Sequence, residues 1–175
     1  SVWEWSRYGS SVMVPSAPHY LGAACCYVDI DPASYNLNPG LLDAHVTPRT
    51  KALIVQHTYG IAQQMFPVMK WADSRGLPVI EDCCHAFGTR CQGKLCGTFG
   101  AGAFFSGQWN KPFSTGLGGM LLVNDAKLLP ALNRLYADAV LPSAREEALL
   151  SMQIRAYRAL VTPKTASAIT LVYRA

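Results

Sequence analysis

Short, almost uniformly apolar runs alternate through most of this chain with stretches whose apolar positions recur every three to four residues. The runs fall at 11–14, 25–29, 52–56, 78–81, 101–105 and 119–123. Most lack the in-and-out alternation of a half-exposed sheet, so they predict strands buried on both faces. Between them, 39–46 reads as a helix with Asn38 as its N-cap ahead of Pro39, and 66–75 places Val68, Trp71 and Ala72 on one face before Gly76 stops it. Strands alternating with helices predict an α/β architecture, a mostly parallel sheet covered by helices.

From Asp125 onward the pattern is helical only. Leu128, Leu132 and Leu135 form a stripe, with Pro130 expected to kink that helix or delay its start. Ser143 with Glu146 three residues later is a capping box for a second helix carrying Leu150, Ile154, Tyr157 and Val161. The expected division is near Leu141–Pro142, giving a large unit at 1–141 and a helical tail at 142–175. The sequence begins at Ser1 and stops at Ala175 within a helical pattern at 166–173, so both ends are expected to be cut.

With 175 residues, half of them hydrophobic, the chain can bury one sizeable core. Fifteen basic against eleven acidic side chains give +4, and no basic run interleaved with aromatics marks a nucleic-acid face. The six cysteines, at 25, 26, 83, 84, 91 and 96, form no CxxC pair and no zinc-finger spacing; reduced thiols and no metal are expected. No run reaches the ~18 apolar residues of a membrane span, and no charged start leads into an apolar leader. A cytoplasmic protein is the expectation.

The chemistry gathers where strands end. The strand at 78–81 runs into Glu81–Asp82, and ligands bind at the carboxyl ends of strands in open α/β sheets. On position alone, Asp82 is equally well explained as the cap of a following turn. His85 follows, then Phe104–Phe105–Ser106, Lys111, and the run Gly116–Leu117–Gly118–Gly119. That glycine run opens a strand, not a helix, and neither GxGxxG nor GxxxxGK[ST] occurs, so nicotinamide and nucleotide-triphosphate chemistry are disfavoured.

The order and spacing of EDCCHAFG (81–88) and FFSGQWNKPFSTGLGGMLLVND (104–125), with the stretch 22–60 leading to HTYG, resemble the DegT/StrS-like (DegT/DnrJ/StrS) sugar aminotransferases. The resemblance covers about 12–125 and fades in the helical tail. It implies the large domain of an aspartate-aminotransferase-like fold, incomplete here, and the cofactor pyridoxal 5'-phosphate. Lys111 would carry the cofactor and then shuttle a proton, Asp82 would face the pyridine nitrogen, His85 would lie near the phenolic oxygen, and Ser106 would serve the phosphate. His57, in HTYG, is read as structural.

The resemblance further implies amino transfer from glutamate or glutamine to a nucleotide-linked keto-sugar, and a homodimer. The sequence departs from the family in three ways. The phosphate-binding G-[ST]-x-A-L turn is missing, and so is the small domain. The segment after Val14–Pro15 is about eight residues short, which removes a ring-stacking aromatic. Tyr20 or His19 stands nearest to replace that aromatic, although a core position is the commoner fate of such a residue. The rivals are a lyase or dehydratase of the same family, disfavoured by the presence of Lys111, and a non-catalytic fragment that keeps the fold. With those segments missing, the chain alone is expected to show little turnover.

Overall fold

The apolar runs assemble into one six-stranded sheet. A computed structural model describes residues 2–4, 14–108, 111–116, 118–162 and 165. In chain order the elements are β1 (Val2–Glu4), α1 (Ser16–Tyr20), β2 (Cys26–Val28), a 3-10 turn at Pro39–Leu41 leading into α2 (Leu42–His45), β3 (Leu53–Gln56), α3 (Met65–Asp73), β4 (Val79–Asp82), a two-stranded hairpin β5 (Arg90–Cys91) and β6 (Lys94–Leu95), β7 (Gly102–Ser106), β8 (Gly119–Val123), α4 (Leu129–Ala137) and α5 (Ala144–Leu160). The sheet order is β2-β1-β3-β4-β7-β8, parallel throughout except for β8, which runs antiparallel to β7. This is the expected mostly parallel sheet with helices.

Local chemistry sets the element ends. Asn38 caps the 3-10 turn by accepting from Gly40 N at 3.0 Å. α3 buries Met65, Val68 and Ala72, at helical spacing, against the sheet. It ends where Gly76 takes φ 62° and Leu77 N bonds back to Ala72 O, closing the carbonyls a helix end leaves open. Pro130 sits in the first turn of α4, so it delays the helix and does not kink it. α5 carries the full Ser143–Glu146 capping box.

Several expectations need correction. β8 is not buried on both faces: Met120 and Leu121 are 51% and 54% exposed, because no strand among the described residues lies beyond it. Tyr27 of β2, at the opposite edge, is likewise exposed. The α4 stripe is largely open, with Leu128 and Leu135 exposed. Tyr20 is 92% exposed and takes no core place. Of the expected strand at 11–14 only Val14 is described, in a turn; 11–13 lie outside the described residues, as does the helical pattern at 166–173. The β5–β6 hairpin, turning on Gln92 and Gly93 at positive φ, was not anticipated. All six cysteines are free. No helix among the described residues is long and apolar enough to cross a membrane.

Candidate active site

Side chains alternate across a strand, so register sorts the sheet into two rows. Ile54, Ile80 and Gly102 align, as do Gln56, Asp82 and Phe104, while Leu53 with Val79 and Val55 with Glu81 and Ala103 point the other way. The second row is the core beneath α3. From the first, Ile54, Gln56, Asp82 and Phe104, with Ser106 beyond them, face a cleft of about 330 Å³. Val14, Ala17 and Pro18 border it on one side, and Cys84, His85, Gln108 and Lys111 complete its lining. The four residues singled out from the sequence, Asp82, His85, Ser106 and Lys111, thus converge on one cavity.

Asp82 is 1% exposed, and its Oδ1 accepts from Cys84 N at 3.0 Å, an Asx turn that leads the chain off the strand. His85 Nε2 lies 3.1 Å from Lys111 Nζ. A lysine ammonium has donors only, so Nε2 is the acceptor and the hydrogen of a neutral ring sits on Nδ1. That Nδ1 is buried without a hydrogen-bond partner among the described residues. Burial first, and the Lys111 cation second, hold the His85 pKa below the usual imidazole value, with Asp82 opposing them. The ring is therefore neutral. The Cys84 thiol, pushed up to about 12 by burial and then by Asp82, stays protonated and is a weak nucleophile.

Lys111 owes its place to a loop tied at its base. Gly107 N bonds to Gly118 O at 2.9 Å, Thr115 N returns to Gly107 O at 2.9 Å, and Lys111 N reaches Gln108 O at 3.0 Å. A Cβ on Gly107 would meet Thr115 Oγ1 at 2.3 Å, so glycine permits that closure. Ser106 Oγ accepts weakly from Gln108 N at 3.4 Å.

Behind the cleft, His57 and Glu81 are fully buried and bonded to each other, Nε2 to Oε2, at 3.2 Å. Glu81 also accepts from Gly97, Phe99 and Gly100 amides at 2.7, 2.7 and 2.8 Å. Burial pushes its carboxyl up, but the bonds from His57 and the three amides outweigh burial and hold the pKa below the ordinary value. Cys83 brings a third potential metal donor within 4.8 Å of this pair. The lone pairs of Glu81 and of His57 Nδ1, which accepts from Gln63 N at 3.0 Å, are directed at protein N–H groups.

Sequence reasoning did not single out Gln56, Phe104, Cys84 or the cover from Ala17 and Pro18. Gln56 and Phe104 were accessible in principle, since each stands in register with Asp82. The cover was not, because it depends on α1 folding back. Neither Tyr20 nor His19 lines the cleft; Pro18 and Ala17 do.

Residues 14–152 match the DegT/DnrJ/EryC1/StrS aminotransferase family. The chain is 38% identical over 145 residues to a GDP-perosamine synthase of Caulobacter vibrioides, covering 78% of this chain and 39% of that protein. It is 38% identical over 138 residues to an L-glutamine:scyllo-inosose aminotransferase of Streptomyces griseus, covering 74% of this chain and 32% of that one. Among solved structures, 3-amino-5-hydroxybenzoic acid synthase superposes with TM-score 0.69 at 33% identity, over 77% of this chain and 34% of the other. DesI with its TDP-sugar product gives 0.69 at 31%, over 78% and 34%. The chain thus spans less than two-fifths of the length of either curated relative. With the motifs, the sheet order and these likenesses in agreement, the chain belongs to the DegT/DnrJ/EryC1/StrS aminotransferase family.

Proposed function

We propose that this chain forms the cofactor-binding core of a pyridoxal-phosphate-dependent aminotransferase that moves an amino group from glutamate or glutamine to a keto-sugar carried on a nucleotide. The observation that carries this reading is the convergence of Lys111, Asp82, His85 and Ser106 on one cleft of about 330 Å³. The donor set fits the cofactor: an amine to bond it, a buried carboxylate for a ring nitrogen, a hydroxyl for a phosphate, and an imidazole whose buried Nδ1 lacks a partner among the described residues. The relative named for GDP-perosamine and the solved structure holding a TDP-sugar product support the substrate class, and the relative named for L-glutamine supports the donor.

When bound, pyridoxal phosphate supplies a ring that takes up the charge left as a proton departs the carbon bearing the amine. Asp82, buried from water, would hold a proton on the ring nitrogen. Lys111 would hold the cofactor through Nζ, and that amine, when free, would be the base for the proton on the substrate carbon. Neutral His85 accepts from Lys111 Nζ through Nε2 and would orient it beside the phenolic oxygen, while Ser106 Oγ would donate to the phosphate. Ala17 and Pro18 border the cleft. A lyase or dehydratase is the less favoured reading because Lys111 is present to return the proton. The homodimer belongs to the same proposal.

Reducing the protein with borohydride in the presence of pyridoxal phosphate and mapping the labelled peptide tests the assignment. The expected label is on Lys111. A label on Lys51, Lys70 or Lys94 instead overturns it.

A further inference from the structure

Glu81 is the anomaly of the core. It is a fully buried carboxylate in the row that otherwise presents Val55, Val79 and Ala103 to α3. A charge survives there only when its lone pairs are met by donors, and here one imidazole and three amides meet them. The amide of Gln63 donates to His57 Nδ1, which obliges the neutral ring to carry its hydrogen on Nε2, toward Glu81. Its direction is thus fixed from both ends.

These bonds tie together three segments at the carboxyl ends of β3 and β4 and the entry to β7. The turn 57–60 is held through His57, the strand end through Glu81 itself, and the loop 97–100 through its amides. The turn and the strand end lie against cleft residues, and the loop is joined to them through Glu81, the neighbour of Asp82. His57 N bonds to Asp82 O at 3.1 Å. A Cβ on Gly60 would touch His85 O at 3.0 Å, so the turn sits on the His85 backbone, and Thr89 Oγ1 fastens it from the other side through Gly60 O at 3.2 Å. Asn124 Nδ2 grips Gly97 O and Gly100 O at 2.8 and 2.9 Å, joining the loop to the end of β8.

We propose that Glu81 and His57 are positioning residues: neither lines the cleft, and their bond fixes Asp82 and His85 by holding these three segments in one arrangement. The inference rests on the reading of Asp82 as partner of the cofactor's ring nitrogen, and its test separates the two. Affinities for pyridoxal phosphate and for its 1-deaza analogue, which carries C–H in place of the ring nitrogen, are measured by titration on the folded protein. A general loosening weakens both ligands alike, whereas a displaced Asp82 erases the preference between them.

The wild-type chain is expected to prefer pyridoxal phosphate by about tenfold or more, the worth of one hydrogen bond to a charged group. Asp82→Asn should bring the ratio close to one. His57→Leu and Glu81→Gln should do the same, although neither substituted residue touches the ligand. His57→Gln, whose amide nitrogen reaches the same carboxylate, should keep the wild-type ratio. A folded His57→Leu or Glu81→Gln protein that retains the wild-type ratio overturns the inference while leaving the role of Asp82 standing. Loss of the ratio in His57→Gln also overturns it, and that arm decides the matter if the other variants do not fold. A wild-type ratio of one removes the reading of Asp82 and this inference together.

Discussion

Replacing Asp82 by Asn separates the chemistry of the cleft from the stability of the fold. The two side chains have nearly the same shape, and asparagine Oδ1 still accepts from Cys84 N, which lies 3.0 Å from the present acceptor. What changes for folding is the strength of one bond, a neutral acceptor for a charged one, about 1 kcal/mol. In a chain of this size that lowers Tm by about 2–4 °C. What changes for the chemistry is larger. Asp82 is 1% exposed, so its charge is little screened, and a unit pair at contact distance with an effective dielectric near 20 is worth about 4 kcal/mol. If that attraction is realised as the ring takes up charge, its loss slows the step by about three orders of magnitude. The assays are thermal unfolding of this chain by circular dichroism and, because the chain alone is expected to show little turnover, a single-turnover half-reaction with glutamate followed by absorbance in a longer version that carries the family's phosphate turn and small domain. Near-normal turnover in a folded variant would refute the pyridinium role. Unfolding at ambient temperature would show that the carboxylate serves the fold first.

Two further predictions concern the structure behind the cleft. Because the folded-state pKa of Glu81 lies below its ordinary value of 4.5, its contribution to stability is complete above that pH and is lost as pH falls through the lower folded value. The Tm difference between wild type and Glu81→Gln should therefore be level above pH 4.5 and shrink below it, and a difference that stays constant to about pH 3 would refute the assignment of a buried anion. At Gly100, a Cβ would lie 2.3 Å from Val79 O, a backbone atom that cannot step aside. Gly100→Ala should cost about 1–3 kcal/mol in chemical denaturation, and an unchanged midpoint would mean that the 97–100 loop is not packed as described.

Much of the architecture was legible because its signals are local. The runs at 52–56 and 119–123 matched β3 and β8 to within a residue, since a buried strand needs little more than an apolar run bounded by turn residues. Asn38, Gly76 and the Ser143–Glu146 pair marked element ends through bonds made within a few residues. What failed was whatever depends on position in the sheet. Met120 and Leu121 read as core because composition cannot say that a strand lies at an edge. Tyr20 read as a core aromatic, but the short segment after Val14 turns into α1 and directs Ala17 and Pro18, not the ring, to the cleft. In the site, Asp82, His85, Ser106 and Lys111 could be named from linked motifs. Glu81 could not, because the four donors that make a buried carboxylate tolerable come from residues 57, 97, 99 and 100, and only folding brings them together.

The two-row register of β3, β4 and β7 has a consequence for how such a protein can diversify. Positions 54, 56, 80 and 104 border the cleft side, while 53, 55, 79 and 103 are committed to the helix beneath. Adjacent codons are thus under different pressures, one set screened by the molecule to be bound and the other by packing volume. A library randomised only at the first set samples new recognition with the interior untouched. The single exception is the carboxylate at 81, where a charge lies on the packing side, so a search for altered specificity should hold Glu81 and His57 fixed, together with Asp82, His85, Ser106 and Lys111, while the other positions facing the cavity are allowed to change.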